Sequence, residues 1–388
     1  MLPKSFCHQP WNGLFLKQNG SIWPCCKYRP ELDKNFQNYY IQSNSIEEYK
    51  DSKFVKTLQQ QFLNGEKPVP CDQCWKDEDA GFQSQRQLVN KRWKDEFDNY
   101  DFDSNDLNLL SIPVGNYCNL KCRICNPGDS STWIKEYLDL YGKKHPRQSW
   151  FNDDAVWQKI IDHSRGALEI HLHGGEPFLL DSAQHINFLS QLVERGYSKH
   201  IRLHYSTNAT TWPTDKIIEV WHSFKHVDVG ASIDDIKHRF EYNRHPANWN
   251  IVEKHLFKYR DMVTDNFQLS IACTVSAFTI FYLDEIFEYF LKNNLPKPWL
   301  GRLHYPEYFQ TDIFPKRVGE KIREKLQSSP SADIRNTANW VTFKNDDLFP
   351  DFQEAVRTHD EYRKESFDET FPEMVELFFS GNPLKFSR

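Results

Sequence analysis

The order of hydrophobic and polar positions predicts an α/β fold for most of the chain. From about residue 107 onward, short runs rich in β-branched and aromatic residues alternate with longer segments of helical periodicity. This alternation is typical of successive βα units, and six units in series predict a partial (β/α)6 barrel of the TIM type. The predicted strands lie at residues 107–114, 168–173, 201–206, 227–233, 268–275 and 299–305, and the predicted helices at 130–141, 183–195, 214–224, 248–264 and 282–293.

Two further segments flank the predicted barrel. The N-terminal part contains five cysteines and leads into an acidic, aromatic stretch at residues 98–106, which we expect to be an exposed connector. The C-terminal part has a helical and aromatic pattern with acidic stretches. The predicted organisation is therefore a Cys-rich module with its connector at 1–104, the barrel at 105–306 and a helical extension at 307–388.

Composition excludes several classes of protein. The 388 residues include 48 Lys and Arg against 54 Asp and Glu, a formal net charge of −6, which argues against nucleic acid as the partner. With 39% hydrophobic and 15% aromatic residues, the chain can bury a core. No stretch resembles a secretory segment or approaches the roughly 20 apolar residues of a membrane helix, so we expect a cytoplasmic protein without a membrane partner.

The nine cysteines fall mainly into clusters, which in a reducing compartment indicate metal sites more often than disulfides. Cys118, Cys122 and Cys125 follow the first predicted strand with the spacing C-x3-C-x2-C. Three thiolates on one loop can hold three irons of a [4Fe–4S] cube and leave the fourth iron open for another ligand. The alternative is a structural zinc loop, although such sites usually have closed shells of four ligands.

This motif, at the carboxyl end of a predicted barrel strand, resembles that of the radical S-adenosylmethionine (SAM) family. The next predicted strand ends in His-Gly-Gly-Glu-Pro, which is similar to the family's GGE motif, although such a segment alone is often a turn. The resemblance implies that Gly174 and Gly175 let the backbone approach the methionyl ammonium of SAM and that Glu176 is its carboxylate partner. It also implies that Ile124, where the family commonly has an aromatic residue, packs on the adenine.

The third predicted strand ends in a segment that resembles the family's "TNG" sequence. It reads Ser206-Thr-Asn208, and Ala209 stands where the family usually has glycine. The resemblance places Ser206 and Asn208 near the ribose and methionyl group of SAM.

The fourth predicted strand ends in Ser-Ile-Asp, which is similar to the family's "SxDG…R" segment. The resemblance implies that Ser232 and an arginine, Arg244 or Arg239, hold the SAM carboxylate. Asp235 replaces the usual glycine, so the turn after this strand is expected to differ. The resemblance covers about residues 107–305 in the family's order.

The N-terminal cysteines resemble half of an auxiliary iron–sulfur module of the SPASM or twitch type. The further cysteines of a full SPASM module are absent, which favours the shorter twitch type. Such a module usually follows the barrel, whereas here it precedes it. The resemblance implies Cys7, Cys25, Cys71 and Cys74 as ligands of a second cluster, with Cys26 competing for the place of Cys25. The alternative is a zinc knuckle, because four-cysteine sites serve both metals. Residues similar to the segment that trails the family's C-x2-C pair are Glu78, Gly81, Ser84 and Arg86.

Alternation along the predicted strands places polar side chains on shared faces. If these faces line the barrel lumen, they suit a substrate with carboxylate, phosphate or amide groups. The alternative is that they are ordinary hydrogen-bonded strand residues. The pairs are His171 with His173, Arg202 with His204, and Arg302 with His304.

Cys273 lies on the fifth predicted strand, outside both clusters. If it faces the lumen, it is a candidate catalytic residue that donates a hydrogen atom to a substrate radical, as a thiol does in radical epimerases. The alternative is a buried cysteine that behaves as a small hydrophobic residue.

The resemblance as a whole implies a radical SAM enzyme with a [4Fe–4S] cluster, SAM and a second, auxiliary [4Fe–4S] cluster as cofactors. An electron from a reductant such as flavodoxin or ferredoxin would lead to cleavage of SAM into methionine and a 5′-deoxyadenosyl radical, which abstracts a substrate hydrogen. A peptide or protein is the first expected substrate, and a sugar or other small metabolite the second. The alternative from a different functional class is a non-enzymatic binding protein whose metal sites only stabilise its structure.

Overall fold

The computed structural model describes residues 2–79, 83–98, 102, 104, 106–180 and 182–379. Its strands are β1 (Gly13–Leu16), β2 (Ile22–Trp23), β3 (Leu109–Pro113), β4 (Glu169–His173), β5 (Arg202–Thr207), β6 (His226–Ser232), β7 (Phe267–Val275) and β8 (Trp299–Arg302). They form an eight-stranded sheet in the order β2-β1-β3-β4-β5-β6-β7-β8. The fold is α/β, as predicted, with the strand and helix order of a partial TIM-type barrel.

The six strands predicted for the barrel are confirmed as β3 to β8, within three residues of the expected bounds. The pairs β3–β4, β4–β5 and β7–β8 are parallel. The N-terminal segment adds two strands to the same sheet, because β1 pairs parallel with β3 and antiparallel with β2. Sequence analysis missed them because runs of four and two residues are too short to show a two-residue period.

Helices alternate with the barrel strands, and the five predicted ones are confirmed. They correspond to α7, α9, α10, α12 and α13 in the set that follows, and α14 to α18 form the predicted helical C-terminal extension. Within the described ranges no helix is long and apolar enough to cross a membrane. The helices are α1 (Gln9–Asn12), α2 (Ile46–Lys50), α3 (Lys53–Leu63), α4 (Asp72–Asp79), α5 (Gln85–Arg92), α6 (Lys94–Phe97), α7 (Trp133–Tyr141), α8 (Asp154–Asp162), α9 (Ser182–Glu194), α10 (Asp215–Trp221), α11 (Lys237–Asn243), α12 (Trp249–Asp261), α13 (Leu283–Lys292), α14 (Lys316–Gln327), α15 (Ala332–Thr337), α16 (Phe349–Arg363), α17 (Phe367–Thr370) and α18 (Pro372–Phe379).

The chain divides into two compact units. Unit 1 contains the N-terminal cysteines and the strands β1 to β4, and unit 2 contains the C-x3-C-x2-C motif, β7, β8 and the C-terminal helices. The predicted segment boundaries after residues 104 and 306 stay predictions, and much of the predicted connector at 98–106 lies outside the described residues. Unit 1 comprises residues 1–116, 147–205 and 213–227, and unit 2 comprises 117–146, 206–212 and 228–388.

The core of unit 1 lies on the face of the sheet that carries Leu172 and its register partner Tyr205, both buried. Trp221 Nε1 donates a hydrogen bond to the Tyr205 hydroxyl at 3.2 Å, and that hydroxyl lies 2.9 Å from His185 Nε2. Burial lowers the pKa of His185 to about 4. The imidazole is therefore neutral at pH 7 and accepts the phenolic proton as a hydrogen bond.

The core of unit 2 contains an aromatic cluster to which the C-terminal helices contribute. Phe278 packs against Phe309, Phe352 and Phe371, with ring centroids 4.8, 5.5 and 6.0 Å away, and all four side chains are completely buried. Aromatic rings bury a large apolar area each, so this cluster contributes strongly to stability. The C-terminal extension is therefore part of the core of unit 2.

Lowering the pH from 7 to 4.5 is expected to destabilise the protein partly through His185. Burial holds its pKa at about 4, against the ordinary 6.5, so between these values the unfolded chain binds more protons and stability falls with pH. The expected contribution at pH 4.5 is about 2 to 3 kcal/mol. In urea titrations followed by circular dichroism, His185→Gln should lose correspondingly less unfolding free energy than the wild type over this range, and an equal loss would contradict the assignment.

Candidate functional site

The C-x3-C-x2-C motif lies in unit 2 on residues 117–132, here named the cysteine loop, which precedes α7. Cys118, Cys122 and Cys125 are half-buried, and none of them is in a disulfide. The first residue of α7 fixes the middle of the loop, because Trp133 Nε1 donates to the Cys122 carbonyl at 2.8 Å. The three thiols therefore extend from a backbone that packs on its own following helix.

Arg123, inside the motif, attaches the cysteine loop to the C-terminal region of unit 2. Its guanidinium has no exposed area, and Nη2 lies 2.6 Å from both Asp360 Oδ1 and Glu365 Oε2. Nε donates to the carbonyl of Tyr242 at 3.1 Å, and the guanidinium stacks on that ring at 3.5 Å. A buried charge is tolerated only when it is paired and hydrogen-bonded in this way.

Two N–H groups donate to the sulfur of Cys118. The backbone N–H of Leu120 lies 3.4 Å from this sulfur, and Asn208 Nδ2 lies 3.8 Å from it. Asn208 also donates to Asn119 Oδ1 at 3.0 Å, so its amide is directed at the loop. The neighbouring Ala209 has φ 59°, so it adopts the left-handed conformation that glycine usually takes at this place in the family. The turn therefore has a left-handed residue at this position even though alanine replaces glycine.

The electrostatic environment of the thiols suits a metal cluster. Burial raises the pKa of Cys122, and Arg244 acts in the opposite direction. Burial raises the pKa of Cys125 well above its usual range, and Asp129 and the other two thiols raise it further. The thiols of Cys122 and Cys125 are therefore protonated without a metal, and metal binding must release their protons. Three thiols within eight residues, two N–H donors to the Cys118 sulfur and the positive charge of Arg244 are the chemistry that three irons of a [4Fe–4S] cluster need.

Two arginines follow β6, and the structure distinguishes them. Arg239 is held by two carboxylates, with Nε 3.0 Å from Asp235 and Nη2 2.8 Å from Glu285. Arg244 pairs with one carboxylate, Asp234, at 2.8 Å, and its positive charge acts on two thiols of the cysteine loop. Arg244 is therefore the arginine associated with the motif.

The turn after β6 differs from the glycine-containing turn of the family. Ser232 ends the strand and is half-buried. Asp235 accepts a hydrogen bond from the backbone N–H of Ile236 at 2.8 Å, and the left-handed conformation falls two residues later, at Lys237 with φ 53°. The side chain of Asp235 thus stabilises the turn in place of a glycine.

Cys273 lies on β7 with its side chain on the face of Ile271 and Val275, and all three are almost fully buried. Its Sγ donates to the carbonyl of Asp234 at 3.7 Å. Ser270 is on the opposite face of the strand. This placement agrees with the interpretation that Cys273 packs as a small hydrophobic residue. Its role as a hydrogen-atom donor stays a prediction.

The GGE segment lies in unit 1 directly after β4. Gly174 has φ 74°, and an added Cβ would lie 2.4 Å from Pro113 Cβ, so only glycine fits there. Gly175 also has a positive φ of 25°. Glu176 is fully buried, and its Oε1 accepts from the backbone N–H of Phe178 at 3.2 Å. The segment is thus a tight turn that buries a carboxylate.

The N-terminal cysteines come together in unit 1 although they are distant in sequence. Burial, together with the thiols of Cys74 and Cys26, raises the pKa of Cys7 to about 12. The pKa of Cys25 is raised by burial and by Cys26, Cys71 and Cys7. The thiols of these N-terminal cysteines therefore act on one another electrostatically.

The structure distinguishes the two adjacent cysteines. Cys25 is half-buried, whereas Cys26 is exposed. Cys26 also lines a cavity of about 790 Å3 in unit 1, together with His171 and His173 of β4. The burial of Cys25 favours it as the ligand, with Cys26 as a fifth thiol at the cavity wall.

The predicted shared face of the histidines is confirmed. His171 lies 4.6 Å from His173 and 4.4 Å from His204, measured between ring centroids. Burial lowers the pKa of His173 to about 4 and that of His171 well below its usual value, so both are neutral at pH 7. The prediction for the last strand was too long, because β8 ends at Arg302 and His304 lies beyond it.

Arg86 joins the segment around Phe6 to α4, the helix that contains Cys74. Its Nη1 donates to the carbonyl of Phe6 at 2.9 Å, and its Nη2 lies 2.7 Å from Glu78 Oε2. Ser84 Oγ donates to the same carboxylate at 2.6 Å. The segment similar to the family's trailing sequence therefore positions Cys7 relative to Cys74. Gly81 of that segment lies outside the described residues.

Sequence analysis missed the role of Arg123. Its carboxylate partners lie 237 and 242 residues further along the chain, so no local pattern indicates them. The only available signal is the position of a cation inside a cysteine motif. Among the described residues, no three His, Cys, Asp or Glu side chains are placed as ligands of a single metal ion.

Comparisons with known proteins agree with the motif. Residues 112–276 match the family model of the Radical SAM superfamily, which supports SAM-dependent radical chemistry. No curated protein matches the chain. Solved structures that are similar in part include the following. The anSMEcpe structure with bound AdoMet is 19% identical over 66% of this chain and 62% of that chain, with a TM-score of 0.43.

The anSMEcpe structure with bound AdoMet and Cp18Cys peptide is 18% identical over 57% of this chain, with a TM-score of 0.41. The chain spans 58% of the length of that structure. Streptococcus suis SuiB is 12% identical over 84% of this chain and 68% of that chain, with a TM-score of 0.38.

The buried ion pair of Arg86 is expected to stabilise unit 1 strongly. Arg86→Met leaves the mostly buried Glu78 carboxylate without its cation and should lower the free energy of unfolding by about 3 to 5 kcal/mol, measured by urea denaturation. The matched control is Arg195→Met, which removes a solvent-accessible pair with Asp162 and should change stability much less. Equal losses in the two variants would contradict a central role for Arg86.

Proposed function

We propose that this chain is a radical SAM enzyme that abstracts a hydrogen atom from a peptide or protein substrate. The observation that carries the proposal is the cysteine loop. It carries Cys118, Cys122 and Cys125 within eight residues, none of them in a disulfide, with two N–H donors directed at the sulfur of Cys118. The loop lies within the stretch that matches the radical SAM family model.

The three thiols would hold three irons of a [4Fe–4S] cluster. When bound, the cluster and SAM supply a one-electron reductive cleavage that yields methionine and a 5′-deoxyadenosyl radical. Leu120 N–H and the Asn208 amide stabilise negative charge on the Cys118 sulfur. Arg244 does the same for the other two thiolates by its positive charge.

The SAM-binding roles follow the family's motif order and are supported by local geometry. Gly174 and Gly175 form the tight turn that such a role needs, and the positive charge of Arg244 acts on Cys122 and Cys125. Ile124 is half-buried beside Cys125, as a residue that packs on adenine would be. The full proposed set is Ile124, Gly174, Gly175, Glu176, Ser206, Asn208, Ser232 and Arg244.

The substrate class is proposed from the cavity of unit 1. Its volume of about 790 Å3 and its mixed lining suit an extended, partly polar ligand. The neutral imidazoles of His171 and His173 can exchange hydrogen bonds with amide groups, and apolar residues such as Leu88 and Val89 can pack on side chains. A peptide combines both features. A sugar or other small metabolite is the second candidate, favoured by the polar histidine wall alone.

We further propose that Cys7, Cys25, Cys71 and Cys74 bind an auxiliary [4Fe–4S] cluster in a twitch-like module. The mutual electrostatic effects of these thiols support a shared site. A reductant such as flavodoxin or ferredoxin would supply the electron to the enzyme. The alternative function is that of a non-enzymatic protein in which zinc stabilises the structure. It predicts zinc in both sites and no cleavage of SAM.

Cys122→Ala should abolish the formation of 5′-deoxyadenosine. The variant removes one of three iron ligands, so anaerobically reconstituted protein given SAM and dithionite should leave SAM intact. The product is measured by mass spectrometry, and circular dichroism checks the fold. The matched control is Cys273→Ala, which removes a thiol outside the loop and should retain SAM cleavage because any role of this residue follows hydrogen abstraction. Full activity of Cys122→Ala would refute the proposed function.

The auxiliary site is tested by its iron content. The double variant Cys71→Ala with Cys74→Ala should hold about four irons per chain where the wild type holds about eight, if each cluster is a cube. Cys25→Ala should show the same loss, whereas Cys26→Ala should keep the wild-type content because Cys26 is the exposed fifth thiol. Unchanged iron in the double variant, or zinc in its place, would overturn the auxiliary cluster.

A further inference from the structure

The cavity of unit 1, to which the proposed function assigns the substrate, has walls of different origin. His171 and His173 line it from β4, and Leu88, Lys91 and Arg92 line it from α5. The helix α5 lies outside residues 112–276, the stretch that matches the family model. The N-terminal module therefore supplies one wall of the cavity.

The face of β4 that lines the cavity changes from charged to neutral along the strand. Glu169, His171 and His173 occupy alternate positions of β4, so their side chains share this face. Four residues of a strand span about 13 Å. The proposed SAM-binding turn at Gly174 follows His173 directly. Glu169 therefore marks the end of the cavity that is remote from this turn.

Arg92 lies at the Glu169 end of the cavity. Its Nη1 is 2.9 Å from Glu169 Oε2, and 52% of its side chain is exposed against 23% for Glu169. Within the part of the chain that the structure describes, Arg92 pairs with no second carboxylate. A guanidinium has five N–H donors in a planar fork. Arg92 can therefore bind a carboxylate of a ligand while it keeps its contact with Glu169.

Lys91 gives this end of the cavity a net positive charge. It is exposed in the last turn of α5 and forms no ion pair with any described residue. Among the described residues of the lining, the charged side chains are Lys91, Arg92 and Glu169. Glu169 neutralises one of the two cations, so one positive charge remains. A single carboxylate balances this charge, whereas a doubly charged phosphate exceeds it.

A further cation acts at the opposite end of the cavity. Burial and the charge of Lys17 lower the pKa of His173 to about 4. Positive potential therefore reaches both ends of the lining, and the cavity favours an anionic ligand over a cationic one.

We propose that the cavity of unit 1 selects peptide substrates with an acidic side chain, whose carboxylate binds Lys91 and Arg92. This inference rests on the proposed function and narrows its substrate class. The two cations contact a part of the peptide that is remote from the SAM-binding turn, so they determine specificity and take no part in the chemistry. His171 and His173 exchange hydrogen bonds with the peptide amides between the two ends.

Two probes that differ in one group test this preference. They are the N-acetylated, C-amidated peptide Ala-Phe-Ala-Glu and the same peptide with Gln in place of Glu, and their affinities are measured by isothermal titration calorimetry on the reconstituted full chain at saturating SAM. The Glu probe should bind about tenfold more tightly, because glutamine has nearly the same size but no charge to pair with the cations. Equal affinity of the two probes, or no binding of either, would overturn the proposal.

Variants of Lys91 locate the preference at this residue. Lys91→Gln should remove most of it, and Lys91→Glu should reverse it, so that a third probe with Lys in place of Glu binds more tightly than the Glu probe. Lys91 is exposed, so both variants should fold, and circular dichroism checks this. The matched control is Lys216→Gln, an exposed lysine of α10 outside the lining, which should bind the probes as the wild type does. A wild-type preference in both Lys91 variants would refute the assignment.

SAM cleavage without a peptide is measured on the same preparations. A wild-type chain that cleaves SAM yet binds the Glu and Gln probes equally would overturn this inference alone. A wild-type chain that leaves SAM intact would refute the proposed function, whatever the probes show.

Discussion

The buried guanidinium of Arg123 is the interaction on which the geometry of unit 2 depends. A cation with no exposed area must have its charge neutralised, and Asp360 and Glu365 of the C-terminal extension do this by accepting hydrogen bonds from Nη2. The arginine stands between two cysteines of the motif, so any shift of the extension would move the thiols. The C-terminal helices are therefore a structural requirement for the cysteine loop.

Arg86 performs a similar task in unit 1. It pairs with Glu78 and binds the carbonyl of Phe6, which holds the segment of Cys7 against the helix of Cys74. In both units the cysteines come from separate parts of the chain or from an irregular loop, which regular backbone hydrogen bonds alone do not fix. A buried arginine with carboxylate and carbonyl partners gives each proposed metal site the rigidity that such a site needs before its metal binds.

The alternation of polar and apolar residues correctly predicted those strands whose signal lies in residues that are neighbours along the chain. The alternation of Ile170 and Leu172 with His171 and His173 predicts both the strand β4 and its two faces, because side chains in a strand point alternately to opposite sides. The short strands β1 and β2 have no such signal, and their pairing with β3 is a contact between distant segments. Ala209 shows another limit of sequence reasoning, because its left-handed conformation replaces a glycine that the family pattern required.

By itself, the sequence determined the α/β class, the six barrel strands and the order of the motifs, because periodicity and spacing act within a few residues. It also grouped Cys118, Cys122 and Cys125 as one candidate set, because their spacing within eight residues is visible in the sequence. Only the tertiary structure distinguished Cys25 from Cys26, because burial depends on what other segments cover each thiol. The ion pairs of Arg123 likewise exist only once residues more than 200 positions apart come into contact.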